Sequence, residues 1–226
     1  MESVSCSTCL LKSKAVESLG DDDLNLLGQS CVEVAFEKGE TLFKQDALSS
    51  NIIYIQTGLV KIIIKGPQRK QILRLKKAPC YLGLPTTMGD KINHYSAVAL
   101  EHTKACFIDL NVFKSFLRLN TEFSYEIIIE LCKNELDQFH RCVKLVQNQV
   151  FGRLATNLLY MADEIYESDE FDLPLNRSDM ADLVCTSRET VSRLLSNLAE
   201  EEIIDIHGKH IKINNKEMLR KISEKG

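Results

Sequence analysis

The feature that most constrains the fold is a stretch without proline or glycine over residues 121–150. Its apolar side chains recur in alternating steps of three and four, at Ile129, Cys132, Leu136, Phe139, Val143, Val146 and Val150. This heptad spacing is typical of two helices that pack along their length. We therefore predict one long helix whose seam is covered by the same helix of a second copy, in a homodimer. The alternative partner for the seam is the protein's own preceding domain.

The segment ahead of this helix is rich in short β-strand patterns. From about residue 30 to 108, turn signals at roughly ten-residue spacing separate the runs VEVAF, TLF, NIIYIQTG, LVKIIIKG and KQILRLKKA, and the stretch 97–108 is also β-rich. Regular short strands of this kind predict an antiparallel roll or barrel.

The segment after the long helix predicts a winged helix-turn-helix. A helix over about 151–166 precedes the charged connection ESDEFDLP, and two short helices then follow with a break of a few residues. Asn176 and Ser187 can cap these helices, because each side-chain oxygen can accept a bond from a first-turn amide. The stretch IIDIHGKHIKI alternates around a tight turn and predicts a β-hairpin wing, and MLRKISEKG predicts a closing helix.

The second short helix carries charge on one face only. Arg188, Glu189 and Arg193 share this face, together with the hydroxyls of Thr190 and Ser192. The opposite face is apolar, with Val191, Leu194, Leu195 and Leu198. Taken alone, alternating charge on a helix is most often a solvated surface with intrahelical pairs.

Composition limits the classes of function. The formal net charge is -4, so nucleic-acid binding requires a local basic patch rather than a basic surface overall. A membrane span and a signal peptide are not expected, and we predict a cytoplasmic protein with its eight cysteines reduced. Only Cys6 and Cys9 have a spacing that suggests a metal or redox site. The chain shows no P-loop, GxSxG or HExxH pattern, and we predict that it is not an enzyme.

At the level of particular residues, the chain resembles the CRP/FNR family of bacterial transcription factors. The run SRETVSRLLSNLAEEEII followed by HGKHIKI resembles that family's recognition helix and wing, and KGETLF and NIIYIQTGLVKI resemble its β-roll turns. The resemblance covers about residues 20–222. It implies an α+β fold with an N-terminal antiparallel β-roll (a double-stranded β-helix), a long dimerisation helix and a C-terminal winged helix-turn-helix.

This resemblance divides the chain into four segments. They are a cysteine-containing arm (1–20), a β-roll sensor domain (21–120), a dimerisation helix (121–149) and a DNA-binding domain (150–226). The implied function is a transcriptional regulator that binds a palindromic DNA site as a homodimer, in response to a signal in the β-roll. Double-stranded DNA, a second copy of the chain and RNA polymerase are the implied partners.

The resemblance also assigns the DNA contacts. In the family, the helix that begins at Ser187 lies in the major groove. Arg188 and Arg193 would then bond guanine, Glu189 would accept from cytosine, and Ser187, Thr190 and Ser192 would approach phosphates or bases. Lys209 and His210 on the wing would approach the backbone. We expect half-sites with a GTGA-like or TTGA-like core.

The predicted effector pocket comprises Gly83, Leu84, Tyr95 and Ser96. In the cyclic-nucleotide branch of the family, a glutamate holds the ribose and an arginine neutralises the phosphate. Here Leu84 replaces the carboxylate, and Tyr95 stands about where the arginine would be. Because a buried phosphate without a cation is costly, cyclic AMP is not expected to bind.

The cofactor is unknown from the sequence, and three possibilities stay open. Cys6, Cys9 and Cys106 match three of the four cysteines with which the oxygen-sensing branch holds an iron–sulfur cluster. Ala15 stands at the remaining position, where Cys31, Cys80 or a carboxylate could substitute. Haem is the second possibility, with His94 and His102 as candidate ligands. In the third, the cysteines only pack as apolar side chains.

Two functions outside the family are also open. A CxxC pair near a terminus can be a dithiol redox catalyst, although SCSTCLLKSK follows no predicted strand. The other is a ligand-sensing module that does not contact DNA.

Overall fold

The computed structural model describes residues 6–225 of the 226-residue chain. It contains two compact units, Met1–Glu135 and Leu136–Gly226, and the longest helix runs through the boundary between them. Residues 1–5 of the predicted arm and residue 226 lie outside the described part. The division into four segments stays a prediction.

The first unit is a β-roll flanked by helices. Its helices are α1 (Lys14–Glu17), α2 (Asp21–Gln29), α3 (Leu84–Gly89) and α4 (Leu110–Leu119). Its strands are β1 (Cys31–Phe36), β2 (Thr41–Phe43), β3 (Asn51–Thr57), β4 (Leu59–Lys65), β5 (Lys70–Lys77), β6 (Cys80–Leu82), β7 (Ser96–Ala99) and β8 (Thr103–Asp109).

These strands form two four-stranded antiparallel sheets, in the orders β1-β8-β3-β6 and β2-β7-β4-β5. The predicted antiparallel roll is therefore confirmed. Two elements of the roll, β6 and α3, were not predicted from the sequence, and α3 begins directly after Gly83. Proline is tolerated in the first turn of a helix, so Pro85 does not prevent α3 from forming.

Strand β3 separates two apolar cores. Ile52 and Tyr54 lie in a core shared with the flanking helices, and Ile53 and Ile55 lie in a second core with side chains of both sheets. Successive side chains of a strand point to opposite faces, so a strand covered on both sides is apolar at consecutive positions. This explains why NIIYIQT lacks the alternation of a half-exposed strand.

Helix α5 (Thr121–Gln147) is the long helix that the heptad stripe predicts. Asn120 supports its start, since the Asn120 side-chain oxygen accepts from the Phe123 amide at 2.9 Å. Phe123 and Ile127 are buried in the first unit. The helix ends at Gln147, so the seam stops at Val146. The prediction that Val150 extends this seam is wrong, because Val150 begins the next helix.

The second unit contains the end of α5 and the winged helix-turn-helix. Its elements are α6 (Val150–Tyr160), a π-helical turn (Met161–Tyr166), β9 (Glu170–Asp172), α7 (Arg177–Val184), α8 (Arg188–Glu200), β10 (Ile204–His207), β11 (His210–Ile213) and α9 (Lys216–Lys225). The strands form one sheet in the order β10-β11-β9. ESDEFDLP is thus not only an exposed connection. Phe171 of β9 is buried and stacks on Tyr166, with ring centroids 5.1 Å apart.

Gly58 joins β3 to β4 and generates a stability prediction. Its φ is +101°, and a Cβ there would overlap the Thr103 hydroxyl and lie 2.8 Å from the His102 carbonyl oxygen. We expect Gly58→Ala to lower the free energy of unfolding by about 2 kcal/mol or more, from backbone strain and overlap together. Urea denaturation measures this loss.

Gly39→Ala is the matched control for this prediction. Gly39 also has a positive φ, +93°, but nothing lies within 4 Å of the position of an added Cβ. It should therefore lose only the strain contribution. Equal losses for the two variants would show that the close approach at Gly58 costs nothing.

Candidate nucleic-acid interface

Side-chain caps define the start of both helices in the helix-turn-helix. The Asn176 side-chain oxygen accepts from the Asp179 amide at 2.8 Å, and the Ser187 hydroxyl accepts from the Thr190 amide at 3.1 Å. Both predicted caps are therefore confirmed. Between the helices, Cys185 adopts a left-handed conformation with φ +59°, and Thr186 N–H donates to Ala181 O at 3.0 Å. These contacts end α7 at Val184, and α8 begins at Arg188 after three intervening residues.

The apolar face of α8 is buried as predicted. Val191, Leu194, Leu195 and Leu198 all lie in the interior of the second unit. Burying side chains of this size stabilises a fold by roughly 1.5–3 kcal/mol each. The opposite face must therefore point away from the protein interior.

That opposite face is the one that carries the predicted DNA contacts. Ser187, Arg188, Glu189, Ser192 and Arg193 are exposed, and Thr190 is half-buried. Hydrogen bonds from its own backbone amide and from the Ser187 hydroxyl lower the pKa of the Glu189 carboxyl, and the charge of Arg188 acts in the same direction. In the described part of the chain, Arg193 has no ion pair. The structure thus brings the predicted contacts together on one surface.

A groove of about 350 Å³ lies beside this surface. Its lining includes the cations Arg177, Arg188 and Lys209 and the polar side chains of Asn176 and Ser178. Arg177 crosses to the wing, since its guanidinium donates to the Gly208 carbonyl at 3.3 Å. Burial lowers the pKa of Arg177 below its ordinary value, but an arginine stays charged. The groove is therefore suited to an anionic group.

Sequence reasoning missed Arg177 and Ser178 as members of this site. The available signal was their position directly after the Asn176 cap, in the first turn of α7, where backbone N–H groups favour anions.

The wing is a tight hairpin. His207 pairs with His210 across β10 and β11, Gly208 turns the chain with φ +65°, and Lys209 is exposed at the tip. The His210 ring is already engaged: its Nδ1 lies 3.0 Å from a carboxylate oxygen of Asp172, and its Nε2 lies 3.1 Å from one of Glu170. The predicted contact of His210 with the DNA backbone stays a prediction. The structure pairs this residue with strand β9 instead.

The comparisons with known proteins agree with this architecture. Residues 152–222 match the Crp-like helix-turn-helix domain, and residues 33–120 match the cyclic nucleotide-binding domain. Together the two matches cover more than half of the chain. The chain belongs to the CRP/FNR family of transcriptional regulators. CRP/FNR-type helix-turn-helix regulators bind DNA, and the family is one of regulators rather than enzymes.

Individual CRP/FNR relatives resemble the chain over most of its length. A CRP-like cAMP-activated global transcriptional regulator of Mycobacterium tuberculosis is 25% identical over 191 residues, which cover 82% of this chain and 85% of that protein. The fumarate and nitrate reduction regulatory protein of Vibrio cholerae is 24% identical over 228 residues, which cover 97% and 90%. The structure of FixK2 from Bradyrhizobium japonicum has a TM-score of 0.76 at 20% identity and covers 85% of this chain and 96% of its own.

In this CRP/FNR chain, the predicted effector residues make hydrogen bonds with the protein itself. The Gly83 amide donates to the Tyr95 hydroxyl at 2.8 Å, and the Ser96 hydroxyl accepts from the Gln45 amide at 2.9 Å. Leu84 is buried, and the Tyr95 ring lies 5.3 Å from that of Phe43. Burial raises the pKa of Tyr95, so its hydroxyl stays neutral. The Gly83 amide, directly ahead of α3, is therefore occupied by the Tyr95 side chain.

The candidate metal ligands do not converge on one point. Cys6 and Cys106 are buried in one apolar cluster, whereas Cys9 accepts from Gln56 Nε2 at 3.7 Å. Over residues 6–225, no three His, Cys, Asp or Glu side chains are grouped so that they could hold a metal ion. As placed, Cys6, Cys9 and Cys106 do not fit an iron–sulfur cluster, and the cluster stays a prediction.

The two candidate haem ligands are also paired with carboxylates. His94 lies 2.7 Å from Asp90, and His102 lies 2.9 Å from Glu37. Both histidines are on the surface, so neither faces a buried cavity. Haem therefore also stays a prediction.

Among the described helices, none is long and apolar enough to cross a membrane.

The His210 pairs predict a pH dependence of the wing. Hydrogen bonds to Asp172 and then Glu170 raise the pKa of His210 above its ordinary value. The stabilisation is therefore complete below the unfolded pKa of about 6.5 and is lost as the pH rises through the higher folded pKa. Titration of the His210 ring signals by NMR should give a pKa above 6.5.

Asp172→Asn and Glu170→Gln are matched tests of whether these two carboxylates raise the pKa of His210. Each should move the pKa of His210 back towards its ordinary value, and Asp172→Asn should have the larger effect. An unshifted His210 in the unmodified protein would contradict the pairing.

Proposed function

We propose that this protein is a homodimeric DNA-binding regulator that reads a palindromic site with the exposed face of α8. The observation that carries the proposal is the burial of one face of α8, which leaves Arg188, Glu189 and Arg193 exposed together. Arginine can bond guanine N7 and O6 with two parallel donors, and glutamate can accept from cytosine N4. A carboxylate among phosphates would be repelled, so Glu189 favours base contact over backbone contact.

The groove beside α8 supports a separate role in backbone contact. Arg177, Arg188 and Lys209 line it without an acidic neighbour among its described lining residues. Contacts of this kind fix the register of the protein on DNA and carry no sequence information. We assign Arg177 and Lys209 to a phosphate adjacent to the bases read by α8.

The apolar stripe of α5 supports the homodimer. Leu136, Phe139, Val143 and Val146 are 55%, 55%, 51% and 81% exposed, and Ile128 is 54% exposed. A contiguous apolar stripe of this length on a charged helix is typical of an interface. Because each copy carries one α8, two copies paired along α5 would present two recognition helices, which in our proposal enter successive major grooves of one duplex.

We infer that a signal reaches α8 through α5. Within the second unit, Arg141 of α5 donates to the Leu183 carbonyl at 3.2 Å, and Arg153 of α6 donates to the Val184 carbonyl at 2.9 Å. These bonds attach the end of α7 to the helices before it. A change in α5 packing would therefore move the helix-turn-helix and alter the spacing of the two recognition helices.

The identity of the signal is a further part of this proposal. Cyclic AMP is not the proposed ligand, since Tyr95 occupies the Gly83 amide and Leu84 supplies no carboxylate. Measurable stoichiometric binding of cyclic AMP by calorimetry would contradict this. An iron–sulfur or haem sensor is the alternative, and absorbance and metal analysis of protein purified without oxygen would identify either one. Action in the cytoplasm and contact with RNA polymerase belong to the same proposal.

Arginine substitutions test base readout. On a selected palindromic site, Arg188→Ala and Arg193→Ala should each weaken binding by about 1–3 kcal/mol, because each loses a bidentate contact. Competition gel shifts at fixed salt measure the loss. Arg118→Ala, an exposed arginine on α4, is the control and should change nothing.

Lys209→Ala separates backbone contact from base readout. It should weaken matched and mismatched sequences alike and reduce the salt dependence of binding, because it removes one phosphate contact. If the α8 variants behaved in the same way, α8 would not read bases.

A charge on the α5 seam tests the dimer. Phe139→Glu should convert the protein to monomers and abolish tight DNA binding, since it places a carboxylate in the apolar interface. Sedimentation velocity measures the assembly state. Gln138→Glu adds the same charge at the neighbouring exposed position and should leave the dimer intact. A Phe139→Glu protein that stays dimeric would rule out this interface.

A further inference from the structure

One arginine of strand β5 lies on the inner face of the β-roll. Arg74 pairs with Ile62 of β4, and residues directly opposite each other in an antiparallel pair lie on the same face of the sheet. Ile62 is buried in the core between the two sheets, and its other neighbour, Ala97 of β7, is buried in the same core. The side chain of Arg74 therefore starts from the apolar side of its sheet.

An irregularity in the pairing of β4 with β5 produces this placement. Ile62 pairs with Arg74 but Ile63 pairs with Ile72, so Leu73 is an extra residue in β5. The Leu73 side chain also packs against the core between the sheets. Strict alternation would place Arg74 on the face opposite to its neighbour Leu73. The position of this cation therefore cannot be derived from the sequence alone.

Arg74 shares this inner space with the predicted effector residues. Tyr95 packs against the same core, directly ahead of β7. Only β4 separates β5 from β7, which corresponds to about 10 Å between the two strands. Arg74, Leu73 and Tyr95 are only partly buried, and β5 is the edge strand of its sheet. Solvent and small solutes can therefore reach the inner face at this edge.

The Arg74 guanidinium makes no hydrogen bond or ion pair with any residue from 6 to 225. Lys76 lies on the same face, opposite Val60, but its ammonium donates to the Asn134 side-chain oxygen on α5. The Glu130 carboxylate of α5 accepts from the Asn134 amide at 3.1 Å. A partly buried cation without a partner is unfavourable, because it loses contact with water and gains nothing in exchange. An anionic group beside Arg74 would supply the missing partner.

We propose that the β-roll binds a small organic anion whose carboxylate or phosphate group is held by Arg74. A guanidinium offers two parallel donors to two oxygens of either group. Ile62, Leu73 and Ala97 are apolar, so the rest of the ligand is apolar as well. Leu84 supplies no carboxylate for a ribose, and a cyclic nucleotide does not belong to this class. The inference deepens the proposed function, because it names the class of signal that the β-roll senses.

The contact between Lys76 and Asn134 links this site to the dimer helix. Arg74 and Lys76 are alternate residues on one face of β5, and Asn134 lies on α5, which carries the apolar seam. An anion bound at Arg74 would change the position of the β5 edge. The change would then reach α5 through Lys76.

An NMR titration of the full chain tests the site with three probes of similar shape. Butyrate carries a carboxylate, butyl phosphate carries a phosphate, and butyramide is uncharged. We expect both anions to shift the amide signals of residues 73–75 and 95–97, and butyramide at the same concentration to leave them in place. The anion that binds more tightly identifies the preferred head group.

Arg74→Met tests the guanidinium itself. Methionine keeps an unbranched stem and suits apolar neighbours, so the fold should persist. Both anions should bind about tenfold more weakly or worse, because a charge-assisted pair of hydrogen bonds is lost. Without any probe, this variant should have a higher midpoint of thermal unfolding, since a cation without a partner is removed. Arg69→Met, at an exposed position of the same hairpin, is the matched control and should bind both anions normally.

Four results would overturn the inference. They are no shift with either anion, equal shifts with butyramide, unweakened binding in Arg74→Met, or an unfolding midpoint of Arg74→Met that is unchanged or lower. DNA is absent from these measurements. Their failure would leave base readout by α8 intact, and a failure of the α8 tests would leave the anion site intact.

Discussion

The burial of one side of α8 is the constraint on which the proposed function depends. Val191, Leu195 and Leu198 are almost completely inaccessible, so the helix cannot rotate without exposing them. Its charged side is fixed as a consequence. The Ser187 cap then sets where the helix starts and hence which side chains occupy its first turns. The packing of its apolar side thus determines which face of α8 is exposed, and the Ser187 cap determines at which residue the helix begins.

A second constraint is the apolar stripe of α5, which the described chain leaves exposed. The same helix contributes Phe123 and Ile127 to the core of the β-roll unit and Arg141 to the contacts of α7. Residues of α5 therefore belong to both units: its start is packed in the first, and its end contacts α7 in the second.

Local patterns in the sequence predict much of this structure. The heptad stripe predicted α5, Asn176 and Ser187 predicted the two helix starts, and the alternation around Gly208 predicted the wing, because each depends on neighbouring residues. Contacts between distant residues were not predictable in this way. Strand β9 has one buried side chain between two acids, the Tyr95 bond to Gly83 spans twelve residues, and the bond of Arg177 to the wing spans thirty-one.

The most direct measurement of the central claim is a double-mutant cycle between Arg193 and a guanine of the selected site. Replacing that guanine by 7-deazaguanine removes the N7 acceptor and nothing else. If α8 reads bases, the arginine and the N7 atom should show a coupling free energy of about 1–3 kcal/mol. The Arg193→Ala variant should then bind the modified site as tightly as it binds the unmodified site. Additive losses at every guanine, for Arg193 and Arg188 alike, would mean that this face of α8 does not touch the bases.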